Sequence, residues 1–109
     1  MAISDVKSGI EGMKSVFNKD CAIGVDAVFQ YVITGDEGGN WSVTVKDQIC
    51  TVNEGMADSP NVTLTMAAPD YLDLINGRLN GMTAYMTGKL KIGGDLMLSQ
   101  KLMTMFPAN

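Results

Sequence analysis

The stretch Ala27-Val28-Phe29-Gln30-Tyr31-Val32-Ile33-Thr34 decides the fold class, because the apolar period there becomes two. Phe29, Tyr31 and Ile33 alternate with Val28, Gln30, Val32 and Thr34, as in a strand whose side chains point to opposite faces in turn. Gly35-Asp36-Glu37-Gly38-Gly39 reads as a loop, with glycines that accept positive φ. Beyond it Trp41, Val43 and Val45 alternate with Ser42, Thr44 and Lys46, which predicts a half-buried strand. Asp47-Gln48 is a tight turn into a third strand, Ile49-Cys50-Thr51-Val52, and Glu54 to Pro60 is a second loop. Val62, Leu64 and Met66 alternate with Thr63 and Thr65 in a fourth strand. Four strands joined by short connections predict an antiparallel meander with one buried face and one wet face.

Helical patterns flank this block. Val6, Ile10, Met13 and Phe17 recur at intervals of four, three and four, with Ser4 as the cap and Asp5 in the first turn. Gly9 and Gly12 weaken that helix by about 1 kcal/mol each, unless something packs closely against them. After the sheet, Pro69 suits a first helical position, with Asp70 and Asp73 in the opening turn. Leu72, Ile75 and Leu79 share a face, and Gly77 ends the regular part. A short segment then carries Met82, Tyr85 and Met86, and Lys89 to Ile92 predicts a fifth strand. Asp95 caps a last helix from Leu96 to about Phe106, which Pro107 helps to end. The apolar residues of that helix, Leu96, Leu98, Leu102, Met103, Met105 and Phe106, spread over about half its circumference. One core face needs a narrower stripe. Gln100, Lys101 and Thr104 form its polar arc.

The chain has 109 residues, 46% of them hydrophobic and 18% charged, which predicts a single lightly charged domain over 1–109. A net charge of −4 argues against nucleic acid and makes anionic membranes poor partners, save through a local lysine patch. Neither a signal-peptide pattern nor a peroxisomal Ser-Lys-Leu-type ending is visible, and no 18 apolar residues run together to span a membrane. Cys21 and Cys50 make no metal or redox motif and read as reduced thiols, which predicts a cytoplasmic protein.

Catalysis has little support in the residues. The chain has no histidine, the commonest general base and metal ligand. The glycines of residues 35–39 make no phosphate-binding pattern. Asp70 and Asp73 read as favourable charge at a helix start, and Cys21 and Cys50 as small buried hydrophobes without an activating base. Lys89 and Lys91 form a solvated strand edge. Nine methionines suit either an adaptable pocket or ordinary core filling, and Trp41 reads first as a core anchor.

Two segments carry a resemblance. Gly39-Asn40-Trp41-Ser42-Val43-Thr44-Val45-Lys46, followed by Asn61-Val62-Thr63-Leu64-Thr65-Met66, resembles the middle of sterol carrier protein type 2 domains. Asp70-Tyr71-Leu72-Asp73-Leu74-Ile75-Asn76-Gly77-Arg78-Leu79-Asn80, and then Gly88-Lys89-Leu90-Lys91-Ile92-Gly93-Gly94-Asp95, is similar to that family's most recognisable region. The segments follow in the family's order along nearly the whole chain. The resemblance implies an α+β fold: a five-stranded, mainly antiparallel sheet covered by N- and C-terminal helices, with an apolar cavity between them. It implies a carrier of fatty acids, fatty acyl-CoA, sterols or similar lipids, without a cofactor and without catalysis. The alternative is an accessory module presenting a bound lipid to a partner enzyme. Carried over by position, Trp41, Leu72, Ile75, Met82, Tyr85, Met86, Leu98, Leu102, Met103 and Phe106 become the cavity-lining candidates.

Departures from the family pattern also speak. Asn80-Gly81 stands where Asn-Pro is common, and Met103 where some eukaryotic members carry a glutamine, which favours a more uniformly apolar site. The expected partner is one small lipid ligand, with no metal and at most transient membrane contact, on a monomer or weak dimer.

Overall fold

The computed structural model describes residues 5–36 and 38–106, and of Met103 the backbone alone. Along the chain run α1 (Val6–Val16), a 3₁₀ turn (Lys19–Ala22), β1 (Ala27–Thr34), β2 (Gly39–Lys46), β3 (Ile49–Glu54) and β4 (Val62–Ala67). There follow α2 (Ala68–Ile75), α3 (Gly81–Met86), β5 (Leu90–Gly94) and α4 (Leu96–Met105).

The five strands form one sheet in the order β3-β2-β1-β4-β5. This corrects the meander. β4 pairs not with β3 but with β1, in parallel, while β1–β2, β2–β3 and β4–β5 are antiparallel. Register explains why so short a loop suffices. Glu54 lies level with Trp41, Trp41 with Tyr31, and Tyr31 with Leu64, so the chain returns by only two residues to start β4 at Val62. It must cross three strand spacings, about 14 Å, and residues 55–61 reach about 23 Å when extended.

That crossover lies on the otherwise wet face, where Gln30 holds it. The Gln30 side chain is fully buried. Its Oε1 accepts from the Ala57 N–H at 2.7 Å, and its Nε2 donates to the carbonyls of Gly55 and Trp41, each at 3.1 Å. At the far end Asn61 clamps β1: its Oδ1 accepts from Val28 N–H at 2.8 Å, and its own N–H donates to Val28 O at 2.9 Å. Asp47 and Gln48 both have positive φ, the conformation of a two-residue hairpin turn matched to strand twist.

The helices cover the opposite face, where Phe29, Tyr31, Ile33, Val43, Val45, Val62 and Leu64 are buried. Val6, Ile10 and Met13 of α1 pack into this core as the helical spacing predicts. Asp5 is the N-cap of α1, its carboxylate accepting from Ser8 N–H at 3.0 Å, a bond that lowers its pKa. Ser4, the expected cap, lies outside the described residues, as do Glu37 and Pro107. Pro69 sits in the first turn of α2 with Asp70, but Asp73 falls a turn later and meets Arg78 at 3.2 Å. Gly77, at φ 76°, takes the left-handed conformation that ends α2. Asn80 caps α3 and Asp95 caps α4, each with its side chain accepting two backbone N–H groups.

Candidate functional site

Between the sheet and the helices lies a cavity of about 940 Å³. Its floor is the helix-covered side of the sheet: Tyr31 of β1, Leu64 and Met66 of β4, Leu90 and Ile92 of β5. One wall is α1, through Gly9, Gly12, Met13 and Val16. Another is α2 and the segment after it, through Tyr71, Leu74, Ile75 and Leu79. Met82 and Tyr85 of α3, Leu96 and Leu102 of α4, and Phe106 complete it. Strand alternation fixes the floor, because every second residue of β1 and β4 must face the same way.

The lining runs from enclosed to open. Met13, Tyr31, Leu64, Met66, Tyr71, Leu90 and Leu102 are all buried. Met82, Tyr85 and Leu96 are large apolar side chains that remain 43–58% exposed, so they mark the mouth. Arg78 is the single charged residue among the described lining, and its side chain is 58% exposed beside Asp73. So open a pair contributes less than about 1 kcal/mol to stability. Burial pushes the hydroxyl pKa of Tyr31 and of Tyr71 above the ordinary range, so both stay protonated.

Of the ten positions expected to line a cavity, Ile75, Met82, Tyr85, Leu102 and Phe106 border this one. Trp41, Leu72, Met86 and Leu98 do not. Trp41 is buried beside Lys7, Glu11 and Lys14 in a separate groove of about 340 Å³, which Val52 and Glu54 of β3 also line. Leu72 and Leu98 are half-buried against the core, and Met86 is 77% exposed on the outer side of α3. The side chain of Met103 lies outside the described residues. Gly12, Tyr71 and Arg78 also border the cavity, and no apolar period marks them. A Cβ built on Gly12 meets no heavy atom within 4 Å, so this glycine keeps space open where helix propensity alone favours alanine.

Little in the site suits bond-making chemistry. Cys50 lies on β3, outside the cavity lining, and burial pushes its thiol pKa up, which leaves less of the nucleophilic thiolate. Among the described residues no three His, Cys, Asp or Glu side chains cluster to hold a metal ion. No helix among them is long and apolar enough to cross a membrane.

Comparison with known proteins places this geometry in a group. The family model for the SCP-2 sterol transfer family matches residues 17–107. "Hydroxysteroid dehydrogenase-like protein 2" of Xenopus tropicalis is 29% identical over 100 residues, covering 91% of this chain and 24% of that protein. "Peroxisomal multifunctional enzyme A" of Dictyostelium discoideum is 36% identical over 76 residues, covering 66% of this chain and 17% of that protein. The chain thus spans about a quarter or less of the length of these curated relatives. The solution structure of palmitated SCP2L2 from Aedes aegypti has a TM-score of 0.75 at 27% identity, with 97% of each chain covered.

Proposed function

Because the chain belongs to the SCP-2 sterol transfer family, we propose that it binds and carries an apolar lipid in the cavity between sheet and helices, without catalysis. The observation that carries this reading is the cavity itself, about 940 Å³ and walled mainly by apolar side chains. Small-molecule sites are typically concave, apolar and about 300–1,000 Å³. Each methylene taken from water into such a site contributes about 0.8 kcal/mol, so a long chain or sterol ring system binds without a charged anchor. Fatty acids, fatty acyl-CoA and sterols are the ligand classes, and the palmitated Aedes aegypti relative supports the first. The lining positions among the ten sequence candidates are contacts for that ligand. Release requires α4 to move, since Leu96, Leu102 and Phe106 close one wall. Two free cysteines fit a reducing compartment such as the cytoplasm, and a monomer or weak dimer touching membranes transiently suffices for transfer.

The test is displacement. A fluorescent fatty acid should bind about one per chain and be displaced by unlabelled lipids. Folded protein without saturable binding overturns the carrier reading.

A second reading is favoured by the relatives, two of which carry enzyme names over lengths at least four times that of the matched segment. In it the domain presents its bound lipid to a separate catalytic domain or partner enzyme. Co-purification of such an enzyme from the native host supports this reading over the free carrier.

A further inference from the structure

The cavity is uncharged at its enclosed end and carries one cation at its mouth. The chain has 12 acidic residues, yet none of them borders the cavity among the described residues. The exposed polar residues of the lining are Ser15, Arg78, Asn80 and Gln100, of which Arg78 alone is charged. The enclosed end offers nothing to an anion. Met13, Leu64, Met66, Leu90 and Leu102 are buried and apolar there, so a carboxylate among them would lose its hydration without a counter-charge.

The fold holds the Arg78 segment in place and leaves its donors available. After α2 the N–H groups of Arg78 and Leu79 both donate to the Asp73 carbonyl, at 2.8 and 3.1 Å. The Arg78 side chain is tethered by its Nε alone, which donates to the Asp73 carboxylate at 3.2 Å. Its two Nη groups have no hydrogen-bond partner among the described residues, and the side chain is 58% exposed. Two residues along, the Asn80 Oδ1 accepts from the N–H groups of Met82 and Thr83, at 2.8 and 3.3 Å. Its Nδ2 is left as a donor without a partner among the described residues. A planar carboxylate matches such donors, because the free end of a guanidinium presents two parallel N–H groups and charge-assisted bonds are the stronger ones.

We propose that Arg78, assisted by Asn80, grips the ionised carboxylate of a single-chain lipid at the mouth, so that the acyl tail enters the enclosed end first. This rests on the carrier reading and adds to it a head-group site, an orientation and a preference. Burial of methylenes holds any long chain, and Arg78 selects the acid over a neutral lipid of the same length.

The probes are palmitate and 1-hexadecanol, matched in chain length with only the first charged, each titrated at neutral pH into the full chain and into Arg78→Gln. The exposed position of Arg78 leaves the fold of that variant intact. Arg78→Gln should lose about fivefold in palmitate affinity, with hexadecanol binding unchanged. A pH titration supplies a readout that a purely structural role would not move. The ¹³C resonance of carboxyl-labelled palmitate, bound to each folded chain, should titrate about 0.7 pH unit higher in Arg78→Gln, the same factor expressed as a pKa. An unchanged palmitate affinity, an equal loss for both probes, or the same bound pKa in both chains overturns the inference and leaves the carrier reading standing. Failure of both probes to bind the folded wild-type chain overturns both.

Discussion

The ring of Phe17, at the end of α1, packs on that of Phe106, at the end of α4, with centroids 5.3 Å apart and planes tilted by 34°. One residue along, the Asn18 N–H donates to the Met105 carbonyl at 2.8 Å. These contacts tie together the C-terminal ends of two helices that wall the cavity, and Phe106 itself borders it. A ligand leaving past α4 must loosen them.

Removing that tie should therefore speed release. A double-mutant cycle on Phe17→Ala and Phe106→Ala should give a coupling of about 0.5–1.5 kcal/mol. Phe17→Ala should release a bound fluorescent fatty acid about fivefold faster, the factor that corresponds to about 1 kcal/mol. Stopped-flow transfer to acceptor vesicles measures the rate. An unchanged rate would mean that the exit lies elsewhere.

Gln30 should matter to the fold and not to the ligand. Gln30→Ala strands the Ala57 N–H and removes the Nε2 bonds to the Trp41 and Gly55 carbonyls, and should cost about 3 kcal/mol in denaturant unfolding. Because Gln30 faces away from the cavity floor, lipid affinity per folded molecule should be unchanged. Loss of affinity in the folded variant would contradict the placement of the site.

What was legible in the chain, and what was not, follows from the physics of each signal. Alternation marked β1, β2 and β4 because a half-buried strand must repeat every two residues, and the Asp47-Gln48 turn marked β3. It says which face a residue takes but not which strand lies beside it, so the parallel β1–β4 pair stayed hidden. The hydrogen bonds of Gln30 and Asn61 that hold the crossover leave no trace in an apolar period. In the site, large apolar residues on helices stood out, and Ile75, Leu102 and Phe106 do border the cavity. Trp41 shared their chemistry but sits on β2, outside it. Gly12 contributes empty space and Arg78 a cation, and neither shows in a hydrophobic pattern.

Gly12 separates the demands of helix and cavity. Gly12→Ala should stabilise the protein by up to about 1 kcal/mol, because nothing obstructs its Cβ and alanine favours α1. Gly12→Phe should still fold, yet fill part of the cavity and weaken binding of the bulkier lipids first. Thermal unfolding and lipid titration of the two variants check this. Unimpaired binding of every lipid by Gly12→Phe would show that the space beside Gly12 is not used.

Stability should be flat through neutral pH and fall in alkali. No histidine titrates in this chain. Burial raises the pKa of Cys50 above its ordinary 9.0, and that of Tyr31 and Tyr71 above their ordinary 10.0. The folded state therefore keeps protons that the unfolded chain releases, so the contribution is complete below about pH 9 and is lost above it. Above about pH 10 each tyrosine should remove about 1.4 kcal/mol per pH unit, and Tyr71→Phe should reduce that slope. Urea unfolding midpoints between pH 7 and 11 measure it, and a slope that Tyr71→Phe leaves unaltered would contradict the burial of its hydroxyl.

The methionines offer the most direct test of an internal lipid site. Met13, Met66 and Met82 border the cavity, whereas Met56 and Met97 are 62% and 76% exposed away from it. Methionine ¹³C-methyl spectra, recorded while palmitate is added to about one per chain, follow all of these at once. Saturable changes are expected at Met13, Met66 and Met82, with Met56 and Met97 unmoved. Changes confined to Met56 or Met97, or no saturable change at the three cavity methyls, would contradict an internal lipid site.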